Sequence, residues 1–219
     1  MIKAVIFDMD GVIIDSERDY QQIEIDMYKQ LGISMTAQEA QESMGKVTLE
    51  WWREVIERFG LKASAEALAE AEDKAYLDYL FSDETQKTMC PGVDRLLQAL
   101  KARGLKTAVA SSSLMDGINR VMAIFNLDAY FDLKLSGQQV ACGKPAPDIF
   151  LRAAELLGVL PEECLVIEDS FSGIKAAKAA GMGCVAYLSA PEGVVDYSAA
   201  DYRVKNYDDF FEAVAILKG

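Results

Sequence analysis

Lys3-Ala4-Val5-Ile6-Phe7-Asp8-Met9-Asp10-Gly11-Val12 is the stretch that decides the fold, an apolar run of strand length that stops at an acidic residue. Such a near-continuous run suits a strand buried on both faces, and the turn residues after it end the strand. Five further runs of this kind follow: Lys106 to Ser111, Asp132 to Ser136, Cys164 to Glu168, Cys184 to Leu188 and Tyr202 to Val204. Helical patterns alternate with the later ones. Val93, Leu96, Leu97 and Leu100 fall at i, i+3, i+4 and i+7 before Gly104, and Ile149, Phe150, Ala153 and Leu157 precede Gly158. Strand and helix alternating in this way predict an α/β fold, a doubly wound parallel sheet with helices on both faces.

One stretch breaks the rhythm. From about Glu17 to Lys87 only helical patterns occur: Tyr20, Ile23, Met27, Leu31; then Trp51, Trp52, Val55, Phe59; then Ala65, Leu68, Ala69, Tyr76, Tyr79, Leu80. The alanine-rich Ser64 to Ala71 segment reflects helix propensity rather than a motif. These patterns predict an all-α helical cap subdomain, residues 17–87, inserted into a core of residues 1–16 and 88–219. Hinges are expected at Asp15 to Glu17 and at Lys87 to Gly92.

Composition narrows the chemistry. The 219 residues carry 22 Lys and Arg against 35 Asp and Glu, for a net charge of −13, and contain no histidine. That absence removes a Ser-His-Asp triad, a Cys-His dyad, an imidazole metal ligand and a histidine general base. Cys90, Cys142, Cys164 and Cys184 form no C-x-x-C pair and are expected as small buried hydrophobes in a reducing compartment. No run approaches the roughly 18 apolar residues of a membrane span, and the first run is too short for a signal peptide, so a cytoplasmic location is expected. The acidic balance, without a basic stripe, argues against nucleic acid and anionic membranes as partners. A monomer or weak oligomer is expected.

In open α/β sheets ligands sit at the carboxyl ends of the strands. Those ends read Asp8-Met9-Asp10-Gly11-Val12 and Ser111-Ser112-Ser113, followed by Gly143-Lys144-Pro145 and then Glu168-Asp169-Ser170. Singly, each has a bland reading: a turn or cap aspartate, a turn serine, a solvated lysine, acidic residues at a helix N-terminus. Together, in this order, they point to one site. Rival motifs fail on spacing. An EF-hand loop needs glycine sixth and glutamate twelfth, whereas here Gly11 is fourth and Asp19 twelfth. Neither G-x-G-x-x-G nor G-x-x-x-x-G-K-[ST] is present, so a dinucleotide cofactor loses its support. A phosphoacceptor receiver module shares the residue types, but puts its acidic pair first and its acceptor aspartate later.

Asp8-Met9-Asp10-Gly11-Val12, Ser111, Gly143-Lys144-Pro145-Ala146-Pro147-Asp148 and Glu168-Asp169-Ser170 resemble the four motifs of the haloacid dehalogenase superfamily of phosphohydrolases, nearest its β-phosphoglucomutase-like branch. The resemblance covers nearly the whole chain, because the helical insert matches that family's small cap. It implies that Asp8 attacks phosphorus to give an aspartyl-phosphate that water then hydrolyses. An anionic nucleophile meets an anionic phosphoryl group at a cost of roughly 4 kcal/mol per charge pair at about 4 Å, so a cation is required. Mg²⁺ is the implied cofactor, with Asp8, the Asp10 carbonyl, Asp169 and Glu168 as candidate ligands. Lys144, Ser111, Ser112 and the backbone N–H groups near Met9 and Asp10 would bind the phosphoryl oxygens. Asp10 is assigned general acid for the leaving alcohol and then general base for water.

The implied activity is a phosphatase acting on a small soluble phosphorylated metabolite, a sugar phosphate, with a phosphosugar mutase as the alternative. Hydrolysis is favoured by three departures from the mutase: Tyr20 where it has a histidine, Thr48 near its cap arginine, and Glu72 at or near its cap lysine. Arg18, Tyr20, Lys46, Trp51 and Trp52 are the candidates to face the substrate, against the bland readings that the helical pattern puts at least one of the two tryptophans in the cap core and that Lys46 is a solvated loop charge.

Overall fold

A computed structural model describes residues 1–36, 39, 48–83 and 86–214. Six strands form one parallel sheet in the order β3-β2-β1-β4-β5-β6. They are β1 (Ala4–Phe7), β2 (Lys106–Ser111), β3 (Leu133–Ser136), β4 (Cys164–Glu168), β5 (Gly183–Tyr187) and β6 (Tyr202–Val204). Every expected strand is present, with ends shifted by a residue or so. β1 pairs with β2 on one side, where Phe7 is level with Val109, and with β4 on the other, where Phe7 is level with Ile167. The strand order therefore reverses at β1, the place where open α/β sheets bind ligands.

The period of two along each strand divides the core into two layers. Val5 and Phe7 pack on one face with Leu97, Val109 and Ile167. Ala4 and Ile6 pack on the other with Phe150, Ala153, Val166 and Ile174. The covering helices are α4 (Val93–Ala102), α5 (Met115–Ile124), α6 (Asp148–Leu157) and α7 (Phe171–Ala179), with a short α8 (Phe210–Ala213). The buried residues of α4 are the four of its apolar stripe, Val93, Leu96, Leu97 and Leu100.

Between β1 and α4 lie three helices, α1 (Glu17–Gln30), α2 (Thr48–Phe59) and α3 (Ala65–Phe81), and no strand among the described residues. They enclose a third apolar cluster built on Tyr28, Trp51, Trp52, Val55 and Leu68. Helix α3 belongs to two clusters: Leu68 packs among the helices, while Tyr76 and Leu80 pack against the sheet layer. The chain leaves and re-enters the sheet domain side by side. Ile14 and Met89 form an antiparallel bridge, and the Asp15 and Cys90 N–H groups donate to the Thr88 and Ile13 carbonyls at 2.9 and 2.8 Å.

Three cysteines are buried as expected, but Cys142 is exposed, because its loop runs over the surface before α6. No helix among the described residues is long and apolar enough to cross a membrane.

Candidate active site

The ends of β1, β2 and β4 converge on a cavity of about 510 Å³, a size suited to a small ligand. Asp8, Asp10, Ser111, Ser112, Lys144, Glu168 and Asp169 line its sheet side, and Tyr20, Gln21, Thr48, Trp51 and Glu72 its helical side. Residues more than a hundred positions apart thus meet where strand order reverses.

Lys144 is the hinge of the electrostatics. Its Nζ donates to Asp8 Oδ1 at 2.6 Å, Glu168 Oε1 at 2.7 Å and the Ala110 carbonyl at 3.1 Å. All three side chains are close to fully buried, so water screens these pairs little. Burial pushes the Asp8 carboxyl up to about 7, against the pull of Lys144 and with the charges of Glu168 and Asp10 adding to the rise. Burial alone would lower the Lys144 ammonium, but Asp8 and Glu168 hold it well above its ordinary value.

Glu168 is anchored from below. Its Oε2 accepts from the Asp169 N–H at 2.9 Å, the Ser170 N–H at 2.8 Å and the Ser170 hydroxyl at 2.9 Å, at the start of α7, where the helix dipole favours a carboxylate. Two glycines make the room. A Cβ on Gly173 would lie 1.6 Å from Glu168 Oε1, and one on Gly11, whose φ is +69°, would lie 1.9 Å from Asp169 Oδ2. Ser189 donates to Asp169 Oδ2 at 2.9 Å.

Asp8, Glu168 and Asp169 each present a carboxylate oxygen within 4.8 Å of the others. Hard oxygen donors packed this closely, with one carboxyl raised by burial, fit a small divalent cation that would offset the clustered charge. The Asp10 carboxylate lies outside this cluster. Its Oδ1 accepts from the Ser16 hydroxyl at 3.1 Å and from the Tyr76 hydroxyl, and its Oδ2 from the Ser113 hydroxyl at 2.7 Å. Burial raises the Asp10 carboxyl, and these three donors oppose the rise.

Several expected site residues are placed otherwise. Met9 is not among them: its side chain is fully buried in the core, and the expectation there concerned its backbone N–H alone. Arg18 is exposed and does not line the cavity, because it sits two positions from Tyr20 on α1, about 200° around the helix. Trp51 lines the cavity, yet its indole N–H donates to the Tyr28 hydroxyl at 2.7 Å and it is nearly wholly buried, so it is also core. Trp52 does not line the cavity; it is buried and donates to Glu72. Lys46 lies outside the described residues. Tyr20, Thr48 and Glu72, the three departures from the mutase pattern, all line the cavity.

Sequence reasoning missed Ser16, Tyr76, Ser113 and Ser189. Ser16 stands at the N-cap of α1 but makes no side-chain cap bond, its hydroxyl being turned to Asp10. Ser113 was visible in the serine run after β2; Tyr76 gave no signal beyond its apolar helix face.

Residues 2–181 match the family model for haloacid dehalogenase-like hydrolase. The chain belongs to that family. It is 31% identical over 222 residues to hexitol phosphatase B of Escherichia coli K12, covering 94% of this chain and 92% of that one. It is 34% identical over 193 residues to β-phosphoglucomutase of Bacillus subtilis, covering 84% and 82%. The fold is shared with the crystal structure of a family IA, variant 3 hydrolase of the same superfamily from Entamoeba histolytica, at a TM-score of 0.84 and 24% identity over the whole of both chains. The chain is accordingly an enzyme of the phosphoric monoester hydrolase class.

Proposed function

We propose that this hydrolase cleaves a small soluble sugar or polyol monophosphate, with Mg²⁺, through an aspartyl-phosphate on Asp8. The observation that carries the reading is Lys144 bridging buried Asp8 and Glu168 inside the acidic cluster at the cavity floor. A lone buried carboxylate there would repel phosphate; one paired with a fixed cation is held in place to attack it.

Asp8, Asp169 and Glu168 would hold the metal, which when bound supplies charge neutralisation for the approaching phosphoryl group. Lys144 and Ser111 steady the phosphoryl oxygens while Asp8 displaces the leaving alcohol. Asp10, held away from the cluster, gives a proton to the departing oxygen, which leaves as the alcohol, and then takes one from water. The helical segment, residues 17–87, acts as a cap that shields the intermediate, pivoting near 15–17 and 87–92. Its cavity wall of Tyr20, Gln21, Thr48 and Glu72 offers hydroxyl, amide and carboxylate groups, which suit a neutral polyhydroxyl body rather than a second phosphate. The relatedness to a hexitol phosphatase supports that substrate class, and the relatedness to β-phosphoglucomutase keeps a phosphosugar mutase as the second reading.

A phosphate-release screen over hexose and hexitol monophosphates, nucleotides, phosphonates and pyrophosphate, with Mg²⁺ or chelator, tests it. Release is expected from sugar or polyol monophosphates, only with Mg²⁺, and at least about a thousandfold slower in Asp8→Asn. Full activity of Asp8→Asn overturns the aspartyl-phosphate route. Conversion of β-glucose 1-phosphate to the 6-phosphate without phosphate release decides for the mutase.

A further inference from the structure

Asp10 is gripped from three directions, and the three donors differ in origin. Ser16 and Ser113 come from loops at the strand ends, beside β1 and β2. Tyr76 comes from α3, and it is the one described helical-segment side chain that bonds to Asp10. Its hydroxyl reaches past the cavity wall without lining the cavity itself.

The ring of Tyr76 is fixed on both sides. Tyr20 stacks on it at 4.0 Å between centroids and 23° between planes, and Tyr79 lies at 6.0 Å and 21°. Tyr79 in turn donates to Asp19 Oδ2 at 2.6 Å, tying α3 to α1. A phenol clamped in such a stack, and only 3% exposed, has its hydroxyl aimed rather than free to wander. The Asp10 side of the contact is equally constrained. Ser113, which donates to Asp10, has its own N–H bonded to Ser111 Oγ at 3.0 Å and its carbonyl bonded to the Ser136 hydroxyl at 2.7 Å.

We propose that Tyr76 is a positioning residue for the proton transfer, setting the Asp10 carboxyl against the leaving-group oxygen when α3 is seated on the sheet domain. The proposal rests on the reading of Asp10 as acid and base. In the step concerned a bond forms between an Asp8 carboxylate oxygen and phosphorus, the bond from phosphorus to the substrate oxygen breaks with its electron pair going to that oxygen, and the Asp10 proton moves there. Tyr76 neither gives nor takes a proton. Because Asp10 must face the departing oxygen within hydrogen-bond reach, a swing of its carboxyl slows departure of a poor leaving group far more than of a good one.

The test compares kcat/KM for the alkyl phosphate turned over fastest in the screen with kcat/KM for p-nitrophenyl phosphate, whose leaving phenolate needs no proton. The ratio of the two is independent of how much of a variant preparation is folded. Tyr76→Phe is expected to lower the ratio by about tenfold, and Asp10→Asn by more, since a positioned general acid is worth about 10²–10⁴. Tyr79→Phe, which trims the same stack without touching Asp10, is expected to leave the ratio as in wild type. An unchanged ratio in Tyr76→Phe with a lowered one in Asp10→Asn overturns the proposal and leaves the general acid standing. An unchanged ratio in Asp10→Asn removes the general acid itself, and the proposal with it. A further loss when Tyr76→Phe is added to Asp10→Asn also overturns it, because the hydroxyl would then act directly.

Discussion

The two walls of the cavity handle buried charge differently. On the sheet side Asp8 and Glu168 share a buried ammonium, and Glu168 adds two backbone N–H groups and a hydroxyl. On the helical side the buried acidic groups of Glu24 and Glu72 accept from neutral donors, the Tyr28 hydroxyl and the Trp52 indole. A wall built around a fixed cation can receive a phosphoryl group. One built from neutral donors and carboxylates is suited to hydroxyl groups. The two kinds of buried acidic group thus face one cavity from different sides.

Removing the cation should separate the walls most sharply. Lys144→Ala leaves two carboxylates facing each other out of water, and is expected to destabilise the fold by about 3–5 kcal/mol in urea unfolding. Turnover should also fall by about 10²–10³-fold. An unfolding midpoint equal to wild type would mean that the sheet-side charges are not balanced by this lysine.

Gly173→Ala probes the same wall more gently. The new Cβ must push Glu168 out of its seat, so the Mg²⁺ concentration for half-maximal phosphate release should rise by about 10–100-fold. An unmoved Mg²⁺ midpoint would detach Glu168 from the metal site.

The smallest effect belongs to the helical wall. Burial, with the neighbouring charge of Glu24, lifts the Glu72 carboxyl from an ordinary 4.5 up to about 8. The folded state therefore holds this proton more tightly than the unfolded chain does. The stabilisation is complete below pH 4.5 and is lost as pH rises through about 8. Relative to Glu72→Gln, which keeps an oxygen for Trp52, wild type should lose of the order of a few degrees of Tm between pH 5 and pH 9. Parallel Tm curves for the two proteins would show that Glu72 does not titrate in that range.

The same contrast explains what could be read from sequence. Buried parallel strands are written as apolar runs, so β1 and β4 announced themselves, and Asp8, Glu168 and Asp169 followed, Glu168 as the last residue of β4 and the other two just past the strand ends. Lys144 and the serine run were legible because they fall in order after further strands. The helical wall has no such ruler. A helix tells which residues share a face but not where that face points, so Arg18 was expected at a cavity it turns away from. Adjacent Trp51 and Trp52 looked alike in sequence, and only packing separates them: one lines the cavity and donates back to Tyr28, the other lies behind the wall and donates to Glu72. Tyr76 is the extreme case, since an apolar helix face says nothing of which sheet-side group its hydroxyl will meet.

The paired crossing at Ile14 and Met89 reaches beyond the site. Every strand register in the sheet involves residues 4–7 or residues beyond 105, so the described residues of the long detour between 15 and 88 contribute to none of them. Its two ends are held by that one bridge, and along α3 it is held by Tyr76 and Leu80, which pack against the sheet layer. Replacing the detour would leave those registers threaded as they are, but the replacement would have to supply again the hydroxyl that Tyr76 gives Asp10.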